Sequence, residues 1–388
     1  MAHYSKVDSY SKEQLAAVWK KNHVPQYTSP IKYDVDVYEV EYCSSWLDGS
    51  CITASGIYFV PKNAGKALPL VCYNHGTQIK KIRDIALKGE QALCVGLATD
   101  GYLVAYVDYI GIGKGDGFHI YQHSESEAQA SMDMLRAVKV LNPEIGVEWN
   151  KMLFLTGYSQ GGHAAMSLHK ILQERYSDEF TVTASSPMSG AYDMAGVQSE
   201  VMFHSYTYPG YLPYLMQGFQ EAYHILEGGF ATAFLAPYDS LLPGLLDGKH
   251  SMGDINDILP SVPLDAIRPE IIALYKTQPD FAFAKALREN SVYDWKPERP
   301  MQICYCKADE QVIYKNAIVT FETMKKNGSS TVTLRHSGRR FSHNTCALFS
   351  ALYTKMYFDS FVKGSEKGKK GPVFKRFVVS LAKLKFKK

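Results

Sequence analysis

The sequence predicts a mostly parallel, doubly wound α/β sheet, and three observations carry that expectation. Apolar runs of strand length recur along the chain, helical patterns separate them, and one run turns sharply into a helix at a serine flanked by glycines. A sheet of this kind binds its ligands at the carboxyl ends of its strands.

Residues 11–21 read as a short amphipathic helix capped at Ser11, inside an N-terminal extension covering 1–33. Residues 34–42 alternate at period two like an exposed strand, and 56–61 form a second. The runs at 68–73, 102–107 and 152–155 are almost continuously apolar, as a sheet buried on both faces requires. Later strands are expected at 180–184, 301–306 and 331–335, with a final helix over 345–361.

The segment from 193 to 298 is far longer than the roughly two to six residues of an ordinary connection. It reads as an inserted helical subdomain. Tyr206, Tyr208, Tyr211, Tyr214, Phe230 and Phe234 stand there among Pro209, Pro213, Pro237 and Pro243. Aromatic surface on short, broken helices suits a lid over a pocket. The chain then divides into the extension, a core over 34–192, the lid over 193–298, a second core part over 299–362 and a basic tail over 363–388.

Chemistry concentrates at Gly157-Tyr158-Ser159-Gln160-Gly161-Gly162. A serine in a tight strand-to-helix corner needs neighbours without side chains two positions either way, which Gly157 and Gly161 supply. The corner aims the first N–H groups of the helix, that of Gln160 included, at an oxyanion forming on a substrate. Such a nucleophile needs a base, and the base an orienting acid. His343 follows the last strand by a short loop and precedes the last helix, with His336 as its competitor. Asp309 follows the strand over 301–306, with Glu310 as the alternative acid and helix capping as its plainer role. The order Ser159, Asp309, His343 is then complete. A second oxyanion donor is expected from Asn74-His75-Gly76-Thr77, where Gly76 lets the backbone turn and Thr77 offers its N–H. His75 reads as a buried structural residue.

Composition narrows the alternatives. At 388 residues with 46% hydrophobic and 21% charged, the chain is an ordinary globular protein with a sizeable core. Its seven cysteines form no CxxC pair and no HExxH occurs, so no metal site is expected. Cys43 and Cys51 flank a turn between two strand-like runs and could face each other across a hairpin, where a disulfide would imply an oxidising compartment, with small buried hydrophobes as the alternative; the other five read as core. The run 108–117 resembles a nucleotide loop, but Asp116 stands where GxGxxG needs glycine, so a backbone-shaping turn is expected and neither nucleotide nor nucleic-acid binding. Residues 363–388 carry ten basic residues against one acidic, leaving −6 on the body of a chain whose net charge is +3. Phe374, Phe377, Val378, Leu381 and Leu384 recur there at helical spacing, as an amphipathic helix contacting an anionic surface would have them.

With these residues assembled, the chain over about 34–362 resembles the α/β-hydrolase superfamily. The segments 73–77, 108–113 and 157–163, with a long helical insertion after the strand near 180, look like its lid-bearing secretory lipase and esterase branch. The resemblance implies hydrolysis of carboxylic esters without a cofactor, in a secreted or periplasmic protein whose signal peptide this sequence lacks, a cytoplasmic one being the alternative. Lys114 departs from the small residue commoner at its turn, and the basic tail has no counterpart. A serine peptidase of the same fold would need an acidic anchor in the lid, where Glu221 and Glu227 show no obvious pairing, and a noncatalytic relative would have lost a member of the triad.

Overall fold

Nine strands form one mixed sheet in a computed structural model that describes residues 2–21, 26, 29–369 and 371–385. In chain order they are β1 His3–Tyr10, β2 Val35–Ser45, β3 Cys51–Pro61, β4 Leu68–Asn74, β5 Leu103–Val107, β6 Trp149–Tyr158, β7 Val182–Met188, β8 Met301–Cys306 and β9 Val332–Gly338. Their spatial order is β1-β2-β3-β5-β4-β6-β7-β8-β9. The pairs from β1 to β5 run antiparallel, and those from β5 through β4 to β9 run parallel.

The continuous apolar runs are the central strands: every residue of β4 and β5 is buried. Helices Lys12–Lys21, Gly89–Asp100 and His343–Val362 cover one face, where Phe154 stacks on Phe358 with ring centres 4.6 Å apart. Ser124–Glu144 and Gln160–Arg175 cover the other. The N-terminal extension contains a strand, β1, that is not among the predicted elements. Its residues are mostly polar because it is an edge strand with little to bury, so hydrophobic periodicity could not reveal it.

Between β7 and β8 a series of short helices runs from Gln198 to Glu289 around its own apolar cluster, with Phe219, Phe234 and Leu242 at its centre. The tail forms the helix Val373–Lys385, anchored by buried Val379, while Val373, Phe374, Phe377 and Leu381 stay exposed. The side chain of Leu384 and residues 386–388 lie outside the described residues. Among the described residues no helix is long and apolar enough to cross a membrane.

Cys43 and Cys51 are bonded across the β2–β3 hairpin, with Cα atoms 5.5 Å apart. Cys306 and Cys346, expected to be plain core residues, are buried and also bonded to each other, with Cα atoms 6.0 Å apart. Forty residues separate them in the chain, so no local pattern marks the pair.

Candidate active site

Four parallel strands deliver the predicted site residues at one edge of the sheet. Thr77 follows β4, Ser159 follows β6, Asp309 follows β8 and His343 follows β9. Ser159 sits at φ 59° and ψ −120°, a conformation that costs a non-glycine residue about 1–3 kcal/mol. Although it occupies the helix N-cap, its side chain makes no capping bond. The turn is held from outside, by Ser159 N donating to the Met188 carbonyl at 3.0 Å. The flanking glycines are there because backbone closes in on them: a Cβ on Gly157 or Gly161 would collide with the Asn74 carbonyl.

His343 Nδ1 lies 2.8 and 2.9 Å from the two carboxylate oxygens of Asp309. Asp309 Oδ1 also accepts from the backbone N–H groups of Gln311 and Val312, which shapes the loop after β8; the next helix, Lys315–Lys326, has Tyr314 at its N-cap, so Asp309 caps no helix. Glu310, the alternative acid, instead accepts from the backbone N–H of His343 at 2.9 Å. Tyr158 donates to the His343 carbonyl at 2.6 Å. His336 lies exposed on β9 against Tyr305, and neither it nor any neighbour lines the cleft at Ser159. The Cys306–Cys346 bond joins the strand leading to Asp309 with the helix that His343 begins.

His75 is buried, with Nδ1 2.6 Å from the Gly76 carbonyl and Nε2 3.2 Å from that of Asp108, stacked on Tyr106 and tilted against Tyr109. It shapes the loop. The turn at 108–117 likewise serves the backbone, with Gly111, Gly113 and Gly117 at positive φ. Lys114 reaches Glu39 at 2.7 Å and Glu41 at 3.1 Å on β2, which accounts for a lysine at that turn.

Two carboxylates beside the site, the half-buried Glu90 and the buried Glu127, are not among the residues predicted from the sequence. Glu90 accepts from Gly76 N at 2.9 Å and from Tyr73 Oη at 2.8 Å, and so braces the Gly76–Thr77 loop; burial raises its pKa. Glu127, on the buried face of Ser124–Glu144, accepts from the Gln160 side chain and pairs with His163 Nδ1 at 2.7 Å, while His163 Nε2 donates to the Asn290 carbonyl. Gln160 Nε2 also donates to His119 Nε2, whose other nitrogen donates to the Ile110 carbonyl. His119 is therefore the neutral tautomer, and burial pushes its pKa down to about 4. A lone acid on an apolar helix face was the signal for Glu127; nothing local marked Glu90.

Ser159 stands between two spaces. A chamber of about 70 Å³ lies beneath the inserted helices, walled by Met202, Tyr206, Leu212 and Leu287. A cleft of about 560 Å³ opens on the other side, lined by Thr77, Glu90 and His343. Glu221 and Glu227 line neither. Among the described residues, no group of three or more acidic, histidine or cysteine side chains is arranged to hold a metal ion.

Residues 77–234 match the model of the secretory lipase family. No curated protein matches the chain. Among solved structures, a protein from Legionella pneumophila superposes with a TM-score of 0.85 at 26% identity, over 94% of this chain and 98% of its own. The rice cell wall degrading esterase LipA from Xanthomonas oryzae gives 0.82 at 26% identity, over 93% and 97%. Candida antarctica lipase A gives 0.69 at 14% identity, over 96% and 82%, a likeness of fold alone. With the serine turn and the parallel strands that carry its neighbours, these likenesses show the fold that lipases and esterases share and make the chain a carboxylic ester hydrolase.

Proposed function

We propose that Ser159, His343 and Asp309 hydrolyse esters through an acyl-enzyme. His343 Nε2 accepts the Ser159 proton as Oγ attacks the ester carbonyl. The N–H groups of Thr77 and Gln160 stabilise the oxyanion, and Asp309 holds the imidazole in the tautomer with a proton on Nδ1. His343 then protonates the departing alcohol, and water, activated by the same histidine, releases the acid. The observation that carries this reading is His343 Nδ1 held by both oxygens of Asp309 beside a serine in a strained turn.

An apolar group of the substrate sits in the chamber under the inserted helices, which act as a lid. Two disulfides and the match to a secretory family support work outside the cytoplasm. The exposed apolar face of the tail helix, set among lysines, supports contact with an anionic surface. Removing 363–388 should then weaken binding to phosphatidylserine vesicles, and unchanged binding would dispose of that role.

Hydrolysis of nitrophenyl esters from acetate to palmitate by the wild type and Ser159→Ala tests the mechanism. Activity that disappears with Ser159 is the expected result. Activity that survives the substitution, or none at any chain length, would overturn it.

A further inference from the structure

We propose that a groove between the helices Gly89–Asp100 and His343–Val362 binds the alcohol half of a long-chain ester, while the chamber under the inserted helices takes a short acyl half. The assignment rests on the serine mechanism above and adds to it a direction for the substrate.

The cleft that holds Ser159 and His343 does not end at them. Gly89, Leu93 and Leu348 line both the cleft and a second space of about 360 Å³ that continues between the two helices. Its walls are apolar: Leu97 from one helix, Ala351 and Leu352 from the other, and Trp19 across from them, over a floor that includes Tyr73 and Met188. Lys355 lines it too, but its ammonium is already paired with Asp100 and Asp359. An apolar space joined to the reacting centre suits an alkyl chain, whose methylenes gain by leaving water.

Size and chemistry agree on which half of the ester goes where. The chamber, at about 70 Å³, admits only a short chain, whereas the groove is far larger at about 360 Å³. When the tetrahedral intermediate collapses, the bond from carbonyl carbon to alcohol oxygen breaks and that oxygen takes a proton from His343. Asp309 occupies Nδ1, so Nε2 delivers the proton, and the alcohol must lie on the side that His343 faces. His343 lines the cleft leading to the groove and does not line the chamber. The acyl group, left on Ser159, faces the chamber that Ser159 also lines.

Octyl butyrate and butyl octanoate contain the same atoms with the halves exchanged, so comparing them isolates direction. The wild type should show about tenfold or more higher kcat/KM on octyl butyrate. Ala351→Phe and Ala92→Phe, each filling the groove, should bring that ratio toward one when each variant is normalised to its own rate on ethyl acetate. Equal rates or the reverse preference in the wild type, or a preference that both variants retain, would overturn the proposal.

A second measurement needs no turnover. Trp19 is buried and lines the groove, its indole N–H donating to the Ser29 carbonyl at 3.0 Å. In Ser159→Ala, 12-bromododecan-1-ol should quench Trp19 emission saturably, and Trp19→Phe should remove the quenched component. Absence of quenching, or quenching that survives Trp19→Phe, counts against the groove. Failure of the wild type to cleave any ester would sink the serine mechanism, and the quenching result would then decide the groove alone.

Discussion

Asp309→Asn should leave the protein folded and nearly abolish turnover, because of which atoms surround the carboxylate. Oδ1 accepts from the backbone N–H groups of Gln311 at 3.1 Å and Val312 at 2.9 Å. An asparagine keeps both bonds only by placing its carbonyl oxygen there. Its NH₂ then stands 2.9 Å from His343 Nδ1 in place of the second carboxylate oxygen, while the carbonyl oxygen, 2.8 Å from the same nitrogen, is neutral and already shared by two N–H groups. A protonated Nδ1 would abut that NH₂ with only the shared, uncharged oxygen to accept from it, whereas a bare Nδ1 accepts from the NH₂, so the imidazole carries its proton on Nε2. A histidine with its proton on Nε2 cannot accept one from Ser159. Loss of the working tautomer costs about 10⁴-fold in kcat, or ~5 kcal/mol of transition-state stabilisation. The assay is kcat on nitrophenyl butyrate, with the thermal midpoint as a control for folding. A kcat within tenfold of wild type, in a protein of unchanged midpoint, would refute the reasoning.

Three further outcomes follow from the same geometry. Gly161→Ala sets a methyl group against the Asn74 carbonyl, so the helix must move away from β4 and carry the Gln160 N–H out of register with that of Thr77; kcat should fall about 10²-fold or more, and an unchanged value would contradict the paired donors. Burial pushes the pKa of His169 down to about 3, and those of His119 and His123 down to about 4, from an ordinary 6.5. The folded state thus keeps them neutral, and their contribution is complete above the unfolded value and lost as pH falls toward the folded one. Each should remove about 2 kcal/mol between pH 7 and pH 5 in urea unfolding, and His169→Gln should shallow that slope; an identical slope would be inconsistent with a buried neutral imidazole. Replacing Cys306 and Cys346 together by serine frees a loop of 40 residues, which should lower stability by about 4 kcal/mol on loop-closure entropy, and an unchanged denaturation midpoint would argue that the bond constrains nothing.

What the sequence made legible was local. Ser159, Thr77, Asp309 and His343 each follow a strand-like run at once or after a short loop, so strand order brings them to one edge. The glycines at 157 and 161 were readable because sterics at a tight corner leave few other choices. Contacts between distant segments were not readable. Glu127 meets His163 across 36 residues and Glu90 meets Gly76 across 14, and although an apolar helix face marked Glu127 as buried, no periodicity names partners that far apart. The edge strand β1 was missed for the opposite reason, having too little apolar surface to leave a pattern. Pairing of Cys306 with Cys346 depends on β8 and the final helix meeting, which only the assembled sheet determines.

The most direct test of the account is the site of covalent capture. The protein would be treated with one equivalent of an alkyl fluorophosphonate and examined by intact mass and peptide mapping alongside ester hydrolysis. A single adduct on Ser159, formed in step with loss of activity and absent from Ser159→Ala, is the predicted result. An adduct on another residue, or full activity in a protein modified at Ser159, would contradict it.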